Sequence, residues 1–166
     1  MDEEVDCSFR KGDRWFRLRA CGILLNEGKV LMVRNKRDPY YYSLGGGVLY
    51  GEEIEQAAIR EVFEETDCSL EIDRLAFIHE NFFSGGNEIG PLYGLICHEL
   101  AFYYLMKWNP NYQIMNSGKT FDGLAEELVW LEIEKLSAQE IPVYPKFFET
   151  ELLNLTNAPK HIVTRE

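Results

Sequence analysis

The 166-residue chain predicts an α+β fold built on a mixed sheet, and three observations lead there. Runs rich in Val, Leu, Phe and Tyr recur at strand length. One strongly patterned helical segment, about Glu52 to Thr66, interrupts those runs instead of following each of them, so a regular strand-helix alternation is excluded. Two further helical segments stand near the C-terminus, where they can pack on the sheet.

In order, Trp15 to Leu25 reads as a strand, Asn26-Glu27-Gly28 carries hairpin-turn chemistry, and Lys29 to Arg34 returns as a second strand. Residues 35 to 51 hold a proline, three consecutive tyrosines and a glycine cluster, which predicts a long functional loop. The helix follows. Leu70 to Phe83 and Leu95 to Trp108 are β-rich, joined through Ser84-Gly85-Gly86-Asn87 and Gly90-Pro91, and Glu127 to Ile133 predicts another strand. Glu134 to Glu140 and Tyr144 to Leu155 read as helices, the second entered near Pro145, and His161 to Thr164 as a short last strand.

Length and composition bound the function. Residues 1–166 read as one domain without a linker or repeat, and 46% hydrophobic with 27% charged residues is the balance of a globular protein. The net charge of −11 disfavours polymeric nucleic acid and anionic membranes as partners. A small phosphate ligand remains compatible if a metal cation bridges carboxylates and phosphate oxygens. Cys7, Cys21, Cys68 and Cys97 show no zinc-site spacing and read as free thiols in a reducing cytoplasm. The acidic start Met1-Asp2-Glu3-Glu4 is unlike a secretory signal, and the longest apolar run, Leu100 to Met106, is too short to span a bilayer. The apolar Phe147, Phe148, Leu152 and Leu153 fit either a core or the contact of a homodimer.

The chemistry concentrates in Gly45 to Cys68. At about 100° per residue, Glu61, Glu64 and Glu65 share one helix face, while Ala58, Ile59, Val62 and Phe63 lie on another arc. Like charges so close cost helix stability, and no lysine stands between Gly45 and Glu71 to relieve them. Three converging carboxylates suit a hard divalent cation, Mg²⁺ or Mn²⁺. Arg60, one turn from Glu64 and two from Glu52, is placed to hold carboxylates in fixed geometry.

Gly46, Glu52, Arg60, Glu61, Val62, Glu64, Glu65 and Cys68 match the pattern G-x5-E-x7-R-E-U-x-E-E-x-G-U, with U apolar, so the chain resembles the Nudix hydrolase family. Asp67 stands at the pattern's second glycine, a position that asks for left-handed backbone, which Asp tolerates better than most residues. The resemblance implies an α/β/α sandwich. It also implies Mg²⁺- or Mn²⁺-dependent hydrolysis of a diphosphate bond in a nucleoside diphosphate linked to another moiety.

On the same footing, the metal ligands are Glu61, Glu64, Glu65 and the Gly45 carbonyl, with Glu52 bracing Arg60 or acting as a base. Arg34 and Arg19 resemble positions that hold substrate phosphate. Tyr40, Tyr41 and Tyr42 could stack a nucleobase or simply pack. His79 and His98, on successive strands, could line one cleft, against the commoner reading of packed histidines. Glu126 and Glu127 occupy a region where some members place a further acid, and Glu127 is preferred over Glu99 as the one that activates water. The competing class is a Nudix-like sensor that binds a nucleotide without turnover, against which the intact glutamates argue.

Overall fold

The computed structural model describes residues 4–86, 90–115, 118–120 and 123–166. Its elements are β1 (Ser8–Lys11), β2 (Arg14–Ile23), β3 (Leu25–Asn26), β4 (Lys29–Arg34), β5 (Tyr41–Tyr42), β6 (Leu44–Gly47), α1 (Ile54–Thr66), β7 (Ile72–Ser84), β8 (Ile96–Met106) and β9 (Glu127–Glu132). A 3₁₀ segment (Ile133–Ala138), β10 (Val143–Tyr144), α2 (Phe148–Glu151), a second 3₁₀ turn (Leu152–Asn154) and β11 (Lys160–Arg165) complete the chain. The strands form two sheets. In the larger, β1, β2, β8, β7 and β11 lie side by side, and β6 also pairs with β2. In the smaller, β10, β5, β4 and β3 follow in order, with β9 on β4. Both are mixed: β2 with β8, β7 with β11 and β5 with β10 run parallel, and the other pairs antiparallel.

Strand alternation gives the larger sheet two apolar faces and therefore two cores. Cys21, Ile23, Phe77, Ala101 and Tyr103 face the first, with Val30 and Met32 of β4 and with Phe147, Phe148 and Leu152. Ala20, Tyr104 and Met106 face the second, which Ala57, Ala58 and Val62 of α1 close. No helix among the described residues is long and apolar enough to cross a membrane.

The structure redraws several sequence boundaries. The predicted first strand divides at Leu24 into β2 and β3, because the chain there crosses from one sheet to the other. The hairpin turn is present, with Glu27 at φ 47° and Gly28 at φ 75°, but it joins only β3 to β4, and β4 pairs along its full length with β9. The predicted loop over 35–51 contains β5 and β6, since its glycines lie extended along the free edge of β2. The C-terminal helices shorten to 3₁₀ segments and one turn of α-helix, and the last strand lengthens to Lys160–Arg165 against β7. β1 lies ahead of the predicted first strand, where the sequence assigns no element. Phe147, Phe148 and Leu152 are core residues, and Leu153 is exposed. Asn87 of the expected connection and Met1, Asp2 and Glu3 of the acidic start lie outside the described residues.

Candidate active site

Helix α1 starts two residues after Glu52 and carries its acidic face toward the glycines of β6. Arg60 is the hub. Its Nε and Nη2 donate to the two Glu52 oxygens at 2.8 and 2.9 Å, Nη1 donates to Glu61 at 2.6 Å and Glu64 at 3.3 Å, and Nη2 also donates to the Gly47 carbonyl at 3.0 Å. Glu52 in turn accepts from the Leu49 N–H at 3.0 Å. One guanidinium thus fixes the helix, the turn before it and the glycine strand in a single geometry. The hydrogen bonds from Arg60 hold the Glu52 carboxyl below its ordinary range.

Two glycines make the close approach possible. A Cβ at Gly46 would collide with the Glu61 carboxylate, and one at Gly45, whose φ is 133°, with the backbone of Ala20 and Cys21. The Gly45 N–H donates to Glu65 Oε2 at 3.0 Å, while its carbonyl accepts from Arg19 Nη2 at 3.2 Å. Helix α1 ends at Asp67, which sits in the left-handed region at φ 58° and ψ 23°.

The charge balance around this loop is acidic. Burial pushes the Glu65 carboxyl well up, and the carboxylates of Glu126 and Glu61 add to it. Glu61 is also raised by burial, against the pull of Arg60, and Glu126 by burial, against its hydrogen bond from Tyr42. Glu126 Oε1 accepts from the Tyr42 hydroxyl at 2.8 Å, and that hydroxyl accepts from Asn35 Nδ2 at 3.0 Å. The Glu126 N–H donates to the Gly118 carbonyl, and the space beside Gly118 is bordered by both Glu126 and Glu65.

This donor set fits a divalent cation. Its oxygens are hard, and its buried carboxylates repel one another until a positive charge joins them. Among the described residues no three acidic, histidine or cysteine side chains are already gathered into a metal cage. Arg60 holds Glu61 and Glu64, and Gly45 holds Glu65. An ion such as Mg²⁺, which keeps several waters and takes only a few carboxylates, asks for no closed cage.

A model of the NUDIX domain matches residues 15–150. An RNA pyrophosphohydrolase from Wolbachia pipientis subsp. Culex pipiens is 30% identical over 145 residues, covering 79% of this chain and 87% of that protein. The chain belongs to the Nudix family of hydrolases. Among solved structures, a MutT protein from Bacillus halodurans superposes with a TM-score of 0.60 at 16% identity, over 87% of this chain and 89% of that one. A MutT Nudix hydrolase from Burkholderia pseudomallei does so at 0.54 with 23% identity, over 72% and 84%. At these identities the two structures show a shared Nudix fold.

Within that Nudix frame, several expected site residues lie elsewhere. Glu126 stands just before β9 and Glu127 is its first residue, and the two carboxylates have separate partners, Tyr42 and Arg34. Glu127 bonds to Arg34 Nε at 2.9 Å on the exposed side of β4 and β9, so Arg34 and Glu127 answer each other and the acid turned toward Glu65 is Glu126. Glu99 is buried between Arg17 and Arg19; burial works to raise its carboxyl, and the two arginines overcome this and hold it low. It serves as their counter-ion.

The histidines separate as well. Asn81 pairs with Glu99 and Phe82 with His98, so His79 shares the first-core face with Glu99 and His98 faces the opposite side, stacked on Phe82 at 4.2 Å. His79 is buried against Phe147 and Tyr103, with its Nε2 2.7 Å from the Thr164 hydroxyl, and burial pulls it down to about 4. Tyr40 packs edge-on against Tyr42 and Tyr144.

Proposed function

We propose that this Nudix hydrolase cleaves, with Mg²⁺ or Mn²⁺, a diphosphate bond in a nucleoside diphosphate linked to another moiety. The observation that carries the reading is the Arg60 hub, because one guanidinium faces three carboxylates and leaves the cluster with surplus negative charge beside the glycine strand. Glu61, Glu64, Glu65 and the Gly45 carbonyl are the residues that would hold the ion. When bound, it supplies Lewis-acid charge for the phosphate oxygens and for the attacking water.

The remaining steps belong to the chain. Glu126 accepts the proton of the attacking water, since it is a half-buried carboxylate beside Glu65 with raised proton affinity. Tyr42 orients it through the 2.8 Å hydrogen bond. Arg19, anchored on the carbonyls of Ser43 and Gly45, adds positive charge next to the loop where phosphate would lie. Arg60 keeps Glu61 and Glu64 aimed and does not itself meet substrate. The moiety beyond the diphosphate includes the 5′ end of RNA as one form, supported by the name of the Wolbachia relative.

The test is incubation with a panel of nucleoside diphosphate compounds and 5′-phosphorylated RNA with Mg²⁺, followed by product chromatography. Metal-dependent release of two phosphorylated products from at least one substrate is expected. Binding without turnover across the panel would overturn the hydrolytic reading in favour of a sensor.

A further inference from the structure

Resting on that hydrolytic reading, we propose that the β1–β2 hairpin is the binding track for a single-stranded nucleic acid whose 5′ phosphates occupy the glutamate site. The charge of the whole chain conceals the local one. Residues 8–19 carry five basic side chains and one acidic one, in a protein whose net charge is −11. Arg17 and Arg19 are committed to Glu99, but Lys11 and Arg14 are exposed and, among the described residues, make no ion pair.

Burial does not explain why β1 is there. All four of its residues are exposed, including Phe9 at 65%, and among the described residues only β2 pairs with β1, which leaves its outer edge in solvent. The pairings Phe9 with Phe16 and Lys11 with Arg14 put these four side chains on one face. Phe9 stacks on Phe16 at 5.4 Å. Beyond them His98 stacks on Phe82, and the Arg165 guanidinium lies 4.1 Å over that ring. The rings and the two arginines line an open cavity of about 460 Å³, which Glu166 also borders. Aromatic faces interleaved with unpaired cations are what a single strand recognises, the rings stacking on bases and the cations meeting phosphates.

The hairpin adjoins the glycine strand of the active site along one edge of β2, with the Asp6 carboxylate beside Gly47 between them. β8 occupies one edge of β2 along its length, and β1 and β6 share the other, β1 opposite Arg14–Arg17 and β6 opposite Arg19–Gly22. The Cys7 N–H donates to the Val48 carbonyl at the junction. Phe16 lies on the face that α1 covers further along, at Ala20, and the two are four residues apart, about 13 Å of strand. A strand held by its 5′ diphosphate at Glu61, Glu64 and Glu65 reaches Phe9 and Lys11 within a few nucleotides.

The experiment compares a 5′-diphosphorylated dinucleotide with a 3′-fluorescein-labelled, 5′-diphosphorylated RNA decanucleotide, on the wild-type protein, the Lys11→Ser/Arg14→Ser double variant, Phe9→Ser, and Lys11→Arg. Decanucleotide binding is read by fluorescence anisotropy across salt concentration with Ca²⁺ in place of Mg²⁺, and hydrolysis of both substrates with Mg²⁺. The double variant should bind the decanucleotide on the order of tenfold more weakly, with a log–log salt slope shallower by about 1.4, two phosphate contacts' worth. Phe9→Ser should weaken it at least about fivefold through lost stacking. Dinucleotide kcat/KM should stay within about twofold of wild type, and Lys11→Arg should bind normally. Unchanged decanucleotide affinity and slope in a folded double variant, or an equal loss on the dinucleotide, overturns the track. Loss of decanucleotide binding in the variants of a protein that hydrolyses neither substrate supports the track and removes 5′-diphosphorylated RNA from the substrates of the hydrolytic reading.

Discussion

Two arginine–carboxylate clusters meet at Gly45, and they have opposite surpluses. Around Arg60 one guanidinium serves Glu52, Glu61 and Glu64, with the buried Glu65 alongside. Around Glu99 one carboxylate serves Arg17 and Arg19. The first cluster carries surplus negative charge, and the second retains positive charge at the loop. The Gly45 N–H reaches toward the first through Glu65 and its carbonyl toward the second through Arg19. The same residue types in inverted ratio therefore build two halves of a site suited to a metal and a phosphate side by side.

Unbalancing the acidic half should have the largest effect. Glu64→Gln or Glu65→Gln is expected to lower kcat at least about 10²-fold, with weaker metal binding and nearly unchanged helix content, as read by steady-state kinetics across Mg²⁺ concentration and by circular dichroism. Near-normal turnover at saturating metal would show that the acid surplus is not the metal site.

Unbalancing the basic half should act first on stability. Glu99→Gln leaves Arg17 and Arg19 without their buried counter-ion and is expected to cost about 3 kcal/mol in a denaturant melt. A change below about 1 kcal/mol would mean that solvent already screens those arginines.

His79 borders the basic half and gives a pH signature. Its folded value, about 4, lies below the ordinary histidine value of 6.5, so the unfolded chain binds the proton first as pH falls. Its contribution is complete above pH 6.5 and is lost progressively down to about pH 4. Between pH 6.5 and 5 the loss should reach about 2 kcal/mol, and His79→Gln should remove that part of the pH dependence. Equal slopes in the two proteins would place the titration elsewhere. At the far end of α1, Asp67→Gly should be neutral or stabilising by up to ~1 kcal/mol in a thermal melt, because the left-handed backbone costs Asp more than Gly. Clear destabilisation would reveal a required side-chain contact.

The acidic half was legible in the sequence because helix periodicity is rigid. Once the segment ending at Thr66 is helical, Glu61, Glu64 and Glu65 must share a face and Arg60 must fall beside Glu64, while Glu52 meets Arg60 from the turn before the helix. The left-handed position of Asp67 could be read from the Nudix pattern, which has glycine there. Strand parity is different. Glu126 and Glu127 are equally acidic, and which one turns inward depends on the register of β9 against β4, which neither residue announces. The same ambiguity put His79 and His98 on one cleft when the pairing of β7 with β8 sends them to opposite faces. β1 escaped notice because four exposed residues show no core-facing alternation. The extended run of Gly45 to Gly47 reads as a loop until β2 offers it a free edge.

The central claim, that hydrolysis is driven from the acidic half with Glu126 as its base, is tested most directly by kcat against Mg²⁺ concentration for Glu126→Gln beside Glu127→Gln. Glu126→Gln should lose about 10² to 10⁴ in kcat with the Mg²⁺ midpoint nearly unmoved, and Glu127→Gln, which loses only an exposed pair with Arg34, should keep wild-type kcat. The reverse result, an active Glu126→Gln beside an inactive Glu127→Gln, would contradict the account.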